Sequence, residues 1–181
     1  MTETIGFIGL GNMGEGMAGN IQKTGYPMVV HDLQEAATRP FLEREARLAS
    51  SPADVARLSE VTFTSLPGPN EVEEVFVGSE GLLEGARDGG IYVDLSTSRP
   101  TLIREIAPLF RAKGAHVLDA PVSGGKSGAA SGNLAVMVGG ERDIYERIKP
   151  ILDSFGDKVF YAGSIGAGSV AKLVHNMIGH G

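Results

Sequence analysis

A chain of 181 residues and 18.9 kDa has room for about one domain of ordinary size, and that is enough to bury an apolar core without a covalent staple. Cysteine is absent, which excludes disulfides, thiol nucleophiles and cysteine-ligated metal and fits a reducing compartment; any redox chemistry has to be borrowed from a cofactor. Sixteen Lys and Arg against 22 Asp and Glu leave a net charge of −6 with no basic run, which speaks against nucleic acid and anionic membranes and for small soluble partners.

The chain opens with a short apolar strand over Thr4 to Ile8. A helix follows over Met13 to Thr24, with Met13, Met17 and Ile21 recurring every four residues. Pro27 to His31 reads as a second strand, and Leu33 to Leu58 as charged and mostly helical. Val61 to Leu66 is a third strand, closed by Pro67-Gly68-Pro69, which neither a helix nor a central strand tolerates. Asn70 is placed to cap a helix carrying Val72, Val75 and Phe76. Strand Ile91 to Leu95, helix Pro100 to Lys113 and strand Ala115 to Leu118 continue the alternation, which predicts a mainly parallel, doubly wound α/β sheet covered on both faces.

After Pro121 the rhythm changes: Leu134 to Val138 follows a glycine-rich loop with no helix expected before it. Glu141 to Phe155 reads as helix, Lys158 to Tyr161 as the last strand, Ala162 to Gly168 as a linker, and Gly166 to Ile178 as a final helix. No apolar run approaches the roughly 18 residues of a membrane span, and Glu3 stands where a signal peptide wants basic charge, so a cytoplasmic chain is expected. The 26 glycines are about twice the usual share and cluster beside apolar runs, which places them at strand-to-loop junctions.

Gly9-Leu10-Gly11-Asn12-Met13-Gly14 fits G-x-G-x-x-G directly after the first strand and at the start of the first helix, the context a dinucleotide loop requires. Gly9 permits the tight turn, Gly11 the close approach of a pyrophosphate, and Gly14 close packing of helix on strand. Asp32, 18 residues beyond Gly14 at the end of the second strand, suits ribose hydroxyls and repels a 2′-phosphate. With no Arg before Arg39, NAD is favoured over NADP.

Ala120 to Ser127 imitates a phosphate-binding P-loop. It lacks the first glycine, its candidate magnesium ligand Asp94 precedes it, and Gly128, Ser131 and Gly132 interrupt the helix that should follow. The same stretch offers the Ser123 hydroxyl and the N–H groups of Gly124 and Gly125 as a cradle for a carboxylate, with flexible packing as the other reading. Gly163 to Gly168 reads as a turn and helix start rather than a second dinucleotide loop. Lys172 and Asn176, four residues apart, share a helical face among Val170, Leu173, Val174 and Met177, so Lys172 is either a solvated surface group or a partly desolvated acid or base.

These segments together resemble the β-hydroxyacid dehydrogenases. The resemblance rests on Gly6 to Gly14 with Met17-Ala18-Gly19-Asn20, on Leu66-Pro67, on Asp94-Leu95-Ser96-Thr97, on Asp119 to Gly125, and on Gly166-Ala167-Gly168 with Lys172 and Asn176. It implies a Rossmann-type domain over residues 1–163 and, over 164–181, the start of an interdomain helix carrying the catalytic lysine. A helical domain absent beyond Gly181 would complete the substrate pocket, and the full-length protein would be a homo-oligomer. By resemblance, Gly9, Leu10, Gly11, Asn12, Met13, Gly14 and Asp32 hold NAD, with Leu66, Pro67, Ser96 and Thr97 on the nicotinamide side. Ser123, Gly124 and Gly125 grip the carboxylate of a small substrate, Lys172 is the general acid or base, and Asn176 orients the substrate; no metal is involved. His175 stands where relatives often carry Asn, as a substrate-tuning residue or a mere neighbour. A noncatalytic NAD-binding module is the alternative, while imine reductases, which generally replace the lysine, fit less well.

Overall fold

A computed structural model describes residues 3–179; the outermost residues of the two expected segments, 1–163 and 164–181, lie outside that range. The first half of the chain builds β1 (Ile5–Ile8), α1 (Gly14–Lys23), β2 (Met28–His31), α2 (Glu35–Leu42), β3 (Arg47–Leu48) and α3 (Pro52–Leu58). It continues through β4 (Val61–Thr64), α4 (Pro69–Val77), α5 (Leu82–Gly85), β5 (Ile91–Asp94), α6 (Pro100–Arg111) and β6 (His116–Asp119). Then come β7 (Val122–Ser123), α7 (Gly125–Ser131), β8 (Leu134–Gly139), α8 (Arg142–Leu152), β9 (Gly156–Gly163) and α9 (Ala167–Gly179).

The strands form one sheet in the order β3-β2-β1-β4-β5-β6-β8-β7, with β9 on the other side of β8. From β3 to β6 every pairing is parallel. β8 runs antiparallel to β6 and β7, and β9 parallel to β8. The order reverses between β1 and β4, the switch point at which open α/β sheets bind ligands beyond the carboxyl ends of their strands.

Strands β1, β4 and β5 are buried at all four positions, as a sheet covered on both faces demands. Alternation sorts their side chains. Ile5, Phe7, Val61, Phe63, Ile91 and Val93 join one apolar cluster with Met17 and Ile21 of α1 and Ile148 and Ile151 of α8. Val29, Tyr92 and Val117 join a second with Val55 of α3, Val72 and Phe76 of α4 and Phe110 of α6.

Four expectations need correction. The span Leu33 to Leu58 is broken by β3, an edge strand of two exposed residues with no apolar signature. Asn70 does not cap α4: the cap is Gly68, with Pro69 opening the helix where its missing N–H costs nothing. A helix does precede β8, since α7 forms despite its glycines. It packs on α1, where a side chain at Gly16 would strike the Ala129 backbone and Asn20 Nδ2 donates to Ala129 O at 2.8 Å. Finally, Ala162 to Gly168 is no free linker: β9 runs through Gly163, and the turn that follows is tied to the sheet by Asp119, whose Oδ1 accepts from Gly166 N at 2.7 Å.

Candidate active site

The glycine loop joins β1 to α1. Gly9 has φ +88°, in the left-handed region, and a Cβ there would collide with the Ser65 carbonyl oxygen. At Gly11 a Cβ would meet nothing within 4 Å, so the outer side of the loop is open, and beyond it the start of α1 offers N–H groups with no intrahelical partner. Asp32 follows the carboxyl end of the neighbouring strand β2 and is bonded to the loop. Its Oδ2 accepts from Leu10 N at 2.7 Å, and its Oδ1 accepts from Gln34 N at 2.7 Å. The residue read from sequence as a ribose ligand is thus also the one that shapes the loop, and the Leu10 N–H is engaged by it.

At the carboxyl ends of β4 and β5 a buried network links the two further loops. Thr64 Oγ1 donates to Asp94 Oδ1 at 2.9 Å, and Ser96 N donates to the same oxygen at 3.1 Å. Ser96 Oγ in turn accepts from Leu66 N at 2.9 Å, so Leu66 and Ser96 are fixed relative to each other, while Pro67 and Thr97 are exposed beside them. Burial pushes the Asp94 carboxyl up to about 6, against the hydrogen bonds from Ser96 and Thr64, and repulsion from Asp119 adds to the rise. Asp94 entered the sequence reading as the false magnesium ligand of the imitation P-loop; its part in this network is new. The available signals were an acid ending an apolar strand and its place in the Asp94-Leu95-Ser96-Thr97 motif, and neither shows the burial.

The second glycine-rich stretch comes round from β6 and opens α7, whose packing on α1 sets Gly124 and Gly125 near Met13. One of the reasons given against a P-loop at Ala120 to Ser127, the interrupted helix, therefore fails. The missing first glycine and the order of Asp94 stand, and the stretch itself contains β7, two residues paired antiparallel to β8, where a P-loop would run straight from strand to helix. Across a cleft from this loop runs α9. Met13, Ser123, Gly124, Gly125, Lys172, His175 and Asn176 line that one cleft. All five residues assigned to substrate by resemblance are brought together there.

Lys172 is buried to 9 % exposure, and loss of hydration lowers its pKa below that of a free lysine. His175, left open in sequence, has a defined contact: its Nε2 lies 3.0 Å from Ser123 Oγ, across the cleft. Spacing along one helix could not reveal a partner 52 residues away. Among the described residues, no group of three or more His, Cys, Asp or Glu side chains is placed to hold a metal ion, and no helix is long and apolar enough to cross a membrane.

Comparison with known proteins matches residues 4–163 to the family described as the NAD binding domain of 6-phosphogluconate dehydrogenase. The chain is 41 % identical over 174 residues to the mitochondrial 3-hydroxyisobutyrate dehydrogenase of Mus musculus, covering 96 % of this chain and 52 % of that protein. The 3-hydroxyisobutyrate dehydrogenase of Pseudomonas aeruginosa is also 41 % identical, with 96 % and 58 % covered. A solved 3-hydroxyisobutyrate dehydrogenase of Mycobacterium tuberculosis, described with L-serine, superposes with a TM-score of 0.91 at 34 % identity, covering 98 % of this chain and 60 % of that one. The chain thus spans between half and two thirds of the length of these relatives. With the glycine loop after β1, the reversal of strand order beside it and a family match over most of its length, the chain belongs to the family of the 6-phosphogluconate dehydrogenase NAD-binding domain.

Proposed function

We propose that this chain is the cofactor-binding part of an NAD-dependent dehydrogenase acting on a small β-hydroxyacid or the matching semialdehyde, as in 3-hydroxyisobutyrate dehydrogenase. The observation that carries the reading is the single cleft in which the loop Ser123 to Gly125 faces Lys172 and Asn176, next to Met13 of the glycine loop. The dinucleotide fits the residues present: the open side of Gly11 and the start of α1 receive the pyrophosphate, Asp32 faces the ribose, and Leu66, Pro67, Ser96 and Thr97 border the nicotinamide. Asp32 repels a 2′-phosphate and so favours NAD over NADP.

When bound, NAD supplies the acceptor for the hydride that leaves the carbinol carbon. Ser123 Oγ and the Gly124 and Gly125 N–H groups hold the substrate carboxylate, and Asn176 orients the hydroxyl toward Lys172. In its neutral form Lys172 takes the hydroxyl proton on Nζ and becomes the ammonium; in the reductive direction the ammonium returns that proton to the carbonyl oxygen. Burial aids this exchange, because a lowered pKa enlarges the neutral fraction of Lys172 near neutral pH. The oxidative rate therefore rises with pH through the Lys172 titration, and the rising limb lies below the range of an ordinary lysine.

A panel of small β-hydroxyacids, simple α-hydroxyacids and cyclic imines, assayed with the complete protein and NAD or NADP, tests the reading. Turnover confined to β-hydroxyacids or their semialdehydes is expected. Turnover of imines alone, or tight NAD binding with no turnover of any panel member, would replace it by an imine reductase or a binding module.

A further inference from the structure

The two halves of the cleft, the Ser123–Gly125 loop and helix α9, are 40 or more residues apart in sequence and meet at one buried side chain. Asp119, 1 % exposed, ends β6 four residues before Ser123. Its Oδ1 accepts from Gly166 N at 2.7 Å; its Oδ2 accepts from Ser169 N at 2.6 Å and from Ser169 Oγ at 2.9 Å. Three donors from the turn before α9 and from its first turn thus converge on one carboxyl group, and Lys172 lies one helical turn beyond Ser169.

Glycines make the clamp possible. A Cβ at Gly168 would run into the Met137 carbonyl oxygen, and one at Gly139 would lie 2.5 Å from Asp119 Oδ1 and 2.8 Å from Gly168 N. The start of α9 therefore rests on the backbone of β8 with no side chain between, where a sideways shift of the helix has no slack to absorb it. Farther along, the outer positions of α9 are exposed: Leu173 is 41 % and Met177 77 % accessible. The bonds to Asp119 hold the first turn of the helix, and farther along His175 meets Ser123 across the cleft.

We propose that Asp119 is the positioning residue of this site: by clamping the first turn of α9 to the end of β6 it sets Lys172 against the Ser123–Gly125 loop. The catalytic meaning of that placement rests on the proposed dehydrogenase function, but the placement itself does not. Asp119→Asn keeps the shape and sets an amide N–H₂ against one of the three donors. Ser169→Ala removes one bond of the three and spares the rest, and Ser169→Thr keeps the hydroxyl.

The test reads Lys172 directly, by acetylating the 181-residue chain over a range of pH and following the peptide that holds Lys172 by mass spectrometry, with exposed Lys126 as internal reference. His175 lines the same cleft from α9 itself and Asp119 meets the first turn of α9 from β6, so His175→Ala is run alongside as the control for the charged group nearest along the helix. In the parent, the labelling midpoint of Lys172 lies below that of Lys126. In Asp119→Asn it moves up toward that of Lys126, because a helix released from its clamp exposes Lys172 to water. Ser169→Ala moves it less, and Ser169→Thr restores it. Unfolding midpoints and NAD binding confirm that the variants fold. An unchanged Lys172 midpoint in folded Asp119→Asn overturns the proposal; if that variant does not fold, an unchanged midpoint in Ser169→Ala does so. Because labelling needs no turnover, a shifted midpoint in a protein inactive on every panel substrate would sustain the clamp while ending the dehydrogenase reading.

Discussion

Asp94 is wholly buried with its carboxyl pushed up to about 6, so it resists ionisation in the fold and releases its proton readily in the unfolded chain. Between the ordinary value of 3.8 and about 6 the folded state holds the extra proton, and this residue's contribution to stability falls as pH rises through that window. The full effect is on the order of 3 kcal/mol. Asp94→Asn keeps an acceptor for Thr64 Oγ1 and Ser96 N without the ionisation. Denaturant unfolding of both proteins at several pH values should show the variant gaining on the parent from pH 4 to pH 7; a constant difference across that range would mean Asp94 ionises freely. Asp32 supports the Leu10 N–H and, in the proposed function, also selects the cofactor. Asp32→Ala should shift the preference for NAD over NADP by on the order of 1–3 kcal/mol. Calorimetry in which the unmodified protein binds NADP as tightly as NAD would contradict the selecting role.

Helix α9 is clamped at its first turn and bare along one side: Val174 is 49 % exposed and Ile178 77 %. In this chain a charge there meets water, so Ile178→Glu should change the unfolding free energy by no more than about 0.5 kcal/mol. A loss of several times that in chemical denaturation would show the face to be packed. Elements whose reasons are local were legible in the sequence. The parallel strands announced themselves as short apolar runs, and α1 through the spacing of Met13, Met17 and Ile21. The glycine loop was legible because strand, turn and helix adjoin. Elements whose reasons are tertiary were not. β3 is a two-residue edge, α7 owes its helix to Gly16 and Asn20 of α1 rather than to its own Gly- and Ser-rich composition, and the turn before α9 is fixed by Asp119, nearly 50 residues away. At the site, the types and order of Ser123, Lys172 and Asn176 could be read from the sequence by resemblance. The contact of His175 with Ser123 and the burial of Asp94 and Asp119 required the fold.

Over the whole molecule, the two apolar clusters on either face of the sheet make a rigid frame, and the site elements project from one end of it, around the switch point between β1 and β4. The net charge of −6 gives no general attraction for an anionic substrate. Under the proposed function, recognition of a carboxylate therefore falls to local donors: Ser123 and the N–H groups beside it. The central claim is that this frame joins a dinucleotide loop to a proton-transferring lysine in one cleft. Lys172→Ala in the complete protein tests it most directly, with turnover of its β-hydroxyacid and NAD affinity measured side by side. The account predicts a fall in turnover of about 10²–10⁴, the usual worth of an acid-base group, with NAD affinity unchanged. Turnover within about threefold of the parent, far short of that loss, would show that the proton goes elsewhere.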